Sequence, residues 1–106
     1  MDFDQLPQAE SYRRIDFDVA EVKEQDGIKL LVVSGEAPCA NMEVTLSPLI
    51  YIEKPDHWGI EVVGHLDGGI CLTAIKPYTV SIRLDGIVGH KGIEVIGASR
   101  KKRIDI

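Results

Sequence analysis

The sequence predicts an all-β, antiparallel fold, a small barrel of six to eight strands, with a two-sheet sandwich as the alternative. Three observations carry this. Valine and isoleucine together number 23, against eight leucines and six alanines, and β-branched side chains suit pleated surfaces better than helices. Apolar and polar residues alternate with a period of two in several stretches. No stretch of ten or more residues sustains a helical stripe without a glycine or proline, so no long helix is assigned. The barrel is preferred because closure removes exposed strand edges.

Residues 1–11, with Pro7 and few apolar groups, read as an extended arm. The first strand is expected near 12–24, where Ile15, Phe17 and Val19 alternate with Asp16 and Asp18. The alternation slips at 19–22, since Ala20 and Val22 take the other parity, and a β-bulge there would account for it. Asp26-Gly27 reads as a tight hairpin turn into a strand near 28–35. Pro38 through Asn41 forms a loop before a strand near 43–53. The turn from Pro55 to Gly59 leads into a strand near 59–66, with Ile60, Val62 and Leu66 on one face and Glu61 and His65 opposite. Asp67-Gly68-Gly69 turns the chain into a strand near 70–76. Pro77 cannot donate to a ladder and marks a kink or a sheet edge. Strands near 79–88 and 92–98 follow, separated by the turn Gly89-His90-Lys91-Gly92. Residues 12–98 thus form one all-β domain, and 99–106 a basic tail. The expected core is Ile15, Phe17, Val19, Leu30, Val32, Val44, Leu46, Ile52, Ile60, Val62, Leu72, Val80, Ile82, Leu84, Ile93 and Val95.

An internal echo stands out. His57-Trp58-Gly59-Ile60-Glu61-Val62-Val63-Gly64 recurs as His90-Lys91-Gly92-Ile93-Glu94-Val95-Ile96-Gly97, with a fainter copy at Gly27-Ile28-Lys29-Leu30-Leu31. A duplicated hairpin would place His57 and His90 in equivalent turns.

Composition limits the function. The 106 residues are 44% hydrophobic and 27% charged, which is ordinary for a folded domain. The longest apolar runs, Leu30–Val33 and Leu49–Ile52, fall far short of the ~20 residues of a membrane helix. The start, Met1-Asp2-Phe3-Asp4, is acidic and lacks the apolar core of a secretory signal, so a cytoplasmic location is expected. Cys39 and Cys71 are too few for a disulfide framework and are expected to be free thiols in a reducing compartment, packed as small hydrophobes. The formal net charge is −5, which opposes nucleic-acid binding. The charge is uneven: residues 1–26 hold eight acids and three bases, whereas Arg100, Lys101, Lys102 and Arg103 cluster in the tail. That tail is expected to be solvated or paired with the acidic first strand.

The chemistry-bearing residues are sparse. His57 and His90, each followed four residues on by Glu61 or Glu94, make a candidate two-His, two-carboxylate metal site, although no close ligand pair such as His-x-His exists. Cys71, between Ile70 and Leu72, is expected to pack and not to act as a nucleophile. No phosphate-cradling loop or dinucleotide fingerprint is found, and no cofactor is expected. Trp58, with Tyr51 and Tyr78, forms a candidate partner-contact patch, since aromatics anchor interfaces. The expected function is a non-catalytic cytoplasmic binding or accessory module, acting through loops and self-association. A metal-dependent or ligand-transforming enzyme using the turn histidines, and an OB-like oligonucleotide binder, are the alternatives. A protein partner or a second copy is expected, and neither nucleic acid nor membrane.

Overall fold

The computed structural model describes residues 10–68 and 70–106. Most of the expected arm, residues 1–9, lies outside them. Eight strands and no helix are found among the described residues: β1 (Glu10–Arg14), β2 (Val19–Gln25), β3 (Ile28–Ala37), β4 (Glu43–Pro48), β5 (His57–Asp67), β6 (Lys76–Arg83), β7 (Gly92–Ile96) and β8 (Lys101–Asp105).

The strands form two sheets. The larger runs β1-β5-β7-β8 with β4 on the free side of β5, and the smaller runs β2-β3-β6. Among the described residues neither sheet closes on itself into a barrel. β4 comes close to β6 and β8 close to β2, but no ladder joins them. One pairing also departs from the antiparallel expectation: β5 and β7 are parallel, with His57 opposite Gly92 and Glu61 opposite Ile96. A parallel neighbour requires a long return path, and here β6 supplies it by crossing through the other sheet.

β1 and β7 share one edge of β5, end to end. β1 covers Val63 to Asp67 and β7 covers His57 to Glu61. Where they meet, residues 15–18 carry the chain from the large sheet to the small one. The parity slip read in the sequence is this crossing. Instead of one bulged strand, β1 and β2 lie in different sheets, so Ile15 and Phe17 are buried at the crossing while Val19 is half exposed and Ala20 fully buried. The turn at Asp26-Gly27 is a two-residue hairpin with positive φ at both positions, a backbone that the aspartate tolerates and the glycine adopts freely. Pro77 sits on β6, an edge strand.

The core lies between the sheets. Ile60, Val62, Leu66, Ile93 and Val95 face Ala20, Leu31, Val33, Ala37 and Tyr78. β3 therefore presents Leu31 and Val33 inward, the opposite parity to the expected Leu30 and Val32. Leu30–Val33 is apolar on both faces and carries no polar residue to set its phase. Ile52 and Leu72, expected inside, are exposed, because 49–53 and 70–75 are connections and not strands.

The two main copies of the echo are β5 and β7 themselves. Ile60 and Ile93, and Val62 and Val95, are all fully buried. The expected hairpin unit does not recur, since β4 pairs with β5 but β6 pairs with β3. What recurs is one strand face, and adjacent strands of one sheet share the demand for it.

Residues 101–105, expected in the tail, are β8, paired antiparallel with β7. Arg100 Nη1 donates to the Phe17 carbonyl with its guanidinium 5.1 Å above the Phe17 ring, Lys102 Nζ donates to the Ala20 carbonyl at 2.8 Å, and Arg103 pairs with Glu94 at 3.2 Å. Three of the four clustered bases are thus turned onto the molecule, two of them onto carbonyls of residues 17–20 within the acidic stretch.

Candidate functional site: a loop held by a disulfide

The histidines do not converge. His57 and His65 stand eight positions apart on β5, roughly 26 Å at ~3.3 Å per residue. His65 stacks on Tyr12, its cross-strand neighbour, with ring centroids 4.4 Å apart. His90 is exposed in the β6–β7 connection, where its amide donates to the Pro55 carbonyl. His57 Nε2 lies 2.7 Å from Asp105 Oδ1. Register explains this contact: His57, Gly92 and Asp105 form one row across β5, β7 and β8. The glycine between them has no side chain, so the histidine reaches over it. Glu94 pairs with Arg103, and Glu61 lies 3.7 Å from Arg14. Each of the four candidate ligands except His90 is thus engaged by another side chain, and among the described residues no group of three or more His, Cys, Asp or Glu could hold a metal ion.

The aromatic patch also divides. Trp58 and Tyr51 meet edge-on at 5.1 Å. Trp58 folds back and donates its Nε1 proton to the Leu49 carbonyl at 2.9 Å, while the Tyr51 hydroxyl accepts from the Gly59 amide at 3.1 Å. Gly59 has no side chain, and Leu49 and Tyr51 occupy the space a Cβ would need. Tyr78 is elsewhere, 9% exposed in the core, donating to the Asp16 carbonyl at 2.9 Å. Burial first, and then the nearby charges of Asp18 and Asp16, push its hydroxyl up to about 12. These aromatics brace loops against the sheets.

The apolar surface lies instead on the β5–β6 connection. Ile70, Leu72 and Ile75 are 70%, 56% and 67% exposed. The same loop is tied down. Cys39 and Cys71 form a disulfide, with Cα atoms 5.2 Å apart, which corrects the expectation of two free thiols. Asn41 adds two further ties: its Nδ2 donates to the Ile70 carbonyl at 2.6 Å and its Oδ1 accepts from the Leu72 amide at 3.0 Å. The Ala40 amide donates to the Leu72 carbonyl at 2.8 Å. An asparagine side chain carries an N–H group and a carbonyl side by side in peptide-like geometry, so it can pair with a strand as a backbone would. Residues 38–42 thus clamp 70–72 with one covalent bond and three hydrogen bonds. The sequence reading missed Asn41 and the cysteine pairing. A spacing of 32 residues says nothing of pairing until the register of β4 on β5 is known.

Two further features adjoin the clamp. Arg13 Nη2 lies 3.9 Å from Cys39 Sγ. A shallow groove of about 380 Å³, lined by Arg13, Arg14, Ile15, Asp16, Glu36, Pro38 and Ala98, runs beside it where β1 ends. Asp16 is one of the residues that line that groove. Its carboxylate accepts from the hydroxyl and amide of Ser99 and from the Arg100 amide, and these bonds, the Ser99 hydroxyl first, hold its carboxyl below the usual value. At the far end of β5, Ile50 and Ile52 are fully exposed. No helix among the described residues is long and apolar enough to cross a membrane.

No protein-family model, curated protein or solved structure matches this chain.

Proposed function

We propose that this chain is a non-catalytic binding module whose contact element is the loop 70–75, and that a second copy of the chain is one of its partners. The carrying observation is that three large aliphatic side chains stand exposed on a loop fastened by a disulfide and by Asn41. Burying such a side chain is worth roughly 1.5–3 kcal/mol, so three left in water favour a covering surface. Fastening lowers the ordering cost of binding, because the loop has little freedom left to lose. A flexible loop with the same residues would forfeit part of that gain.

The disulfide also bears on location. Such bonds persist in oxidising compartments and are rare in the reducing cytoplasm, so it favours an oxidising setting over the expected cytoplasmic one. Alkylation of the protein directly from cells, scored for free thiols, decides between them.

Sedimentation velocity over a concentration series tests the contact. The wild-type chain should gain mass as concentration rises, and the Ile70→Ser/Leu72→Ser/Ile75→Ser variant should remain at the monomer mass. Identical behaviour of the two, with the variant folded by circular dichroism, removes the loop from the reading.

A further inference from the structure

We propose that the Cys39–Cys71 bond is a thiol-exchange site with a fixed polarity, in which an incoming low-molecular-weight thiolate takes Cys71 and releases Cys39. Two features set the direction and a third makes the step reversible. Cys71 is exposed, whereas Cys39 is fully buried, so an attacking sulfur reaches only one side of the bond. Arg13 Nη2, 3.9 Å from Cys39 Sγ, supplies positive charge to the sulfur that departs. A departing thiolate leaves faster as its conjugate thiol becomes more acidic, and an adjacent guanidinium has that effect. Finally, the Asn41 bonds and the Ala40 amide hold residues 70–72 near 38–42 after the sulfurs part. The leaving thiolate therefore stays within reach to reverse the reaction.

The step balances without any further reagent. The thiolate RS⁻ forms a bond to Cys71 Sγ, the Cys39–Cys71 S–S bond breaks, and its electron pair leaves on Cys39 Sγ. The product is a mixed disulfide at Cys71 and a thiolate at Cys39, which takes a proton from water. A second thiolate attacking the external sulfur of that mixed disulfide would yield the free dithiol and RSSR. The covalent tie of the loop is lost at the first step. Control of binding by that loss rests on the reading of 70–75 as the contact element, whereas the exchange chemistry does not.

The probe is 2-mercaptoethanol, added to the folded full-length chain and quenched with acid and an alkylating agent. Peptide mass mapping should find the mercaptoethanol adduct on Cys71 and the alkyl group on Cys39. Adducts chiefly on Cys39, or no adduct on the folded chain under conditions that open the unfolded one, would overturn the assignment. Arg13→Met should slow the exchange on the order of threefold, while Arg14→Met, which removes an equal charge with no contact to sulfur, should not. Equal slowing by both variants would show general attraction of the thiolate and remove Arg13 from its role. Regiochemistry is read on the sulfur alone, so it holds or fails whether or not the chain self-associates.

Discussion

Tyr78 and Asp16 show how single residues hold the two sheets together at the crossing. The Tyr78 hydroxyl, on the small sheet, donates to the carbonyl of Asp16, while the Asp16 carboxylate gathers Ser99 and Arg100 from just before β8. Both contacts make stability depend on pH, in opposite ranges. The Tyr78 hydroxyl is pushed up to about 12 from an ordinary value of 10.0, so the folded state keeps its proton when the unfolded state has lost it. Stability from this source is whole below the unfolded value and declines as pH rises from there through about 12. Tyr78→Phe should flatten that alkaline decline in urea-melt titrations, at a cost of about 0.5–1.5 kcal/mol at neutral pH for the lost hydrogen bond. Asp16 behaves in the reverse sense. Its lowered folded value means that its contribution is present above the ordinary value of 3.8 and is lost as pH falls through the lowered one. Ser99→Ala, which removes the largest cause, should give a shallower loss of stability in that acid range, measured by the same titration.

Among the elements, the clamp between 38–42 and 70–72 makes the sharpest energetic demand. In a chain-entropy account, a cross-link over this separation constrains the unfolded state by roughly 3–4 kcal/mol. Cys39→Ala/Cys71→Ala should therefore lower the unfolding free energy by that amount, read from chemical denaturation as a lower midpoint with a somewhat steeper slope as the freed chain expands. A loss below about 1 kcal/mol would mean that the loops hold together without the bond. This element was also the least legible in sequence. The period-two alternation located β5, β6 and β7 and the turn at Asp26-Gly27, because each strand has a polar face to fix its phase. It failed at Leu30–Val33, which is apolar on both faces, and at 70–76, where the apolar residues Ile70, Leu72 and Ile75 face solvent in a connection. The candidate ligands His57, Glu61 and Glu94 lie on one outer face of β5 and β7, as alternation implies. Their partners Asp105, Arg14 and Arg103 come from other strands and were invisible until register was known. Asn41 and the pairing of Cys39 with Cys71 depend on how two loops meet, which no local pattern encodes.

Across the whole molecule, stability rests on one apolar layer between two open sheets. Leu31 is fully buried within it, whereas Ile52 stands wholly outside. Leu31→Ala should cost about 2–5 kcal/mol, and Ile52→Ala should stay within about 0.5 kcal/mol, both read from chemical denaturation. Comparable losses at the two sites would mean that the layers are assigned the wrong way round. The open seams are guarded by side chains and not by ladders. Lys101 stands exposed on the edge strand β8, and a lysine on an edge strand opposes pairing with a stray chain.

The order in which the sheets are visited has a consequence for biosynthesis. The chain enters the large sheet with β1, leaves it for β2 and β3, returns for β4 and β5, leaves again for β6, and returns for β7 and β8. Neither sheet is built from consecutive strands alone. A nascent chain emerging from the ribosome cannot complete the small sheet before β6, nor the large one before β8 is free. Such distant pairings close slowly, so premature termination anywhere upstream would leave a polypeptide with unfinished edges and no self-sufficient half.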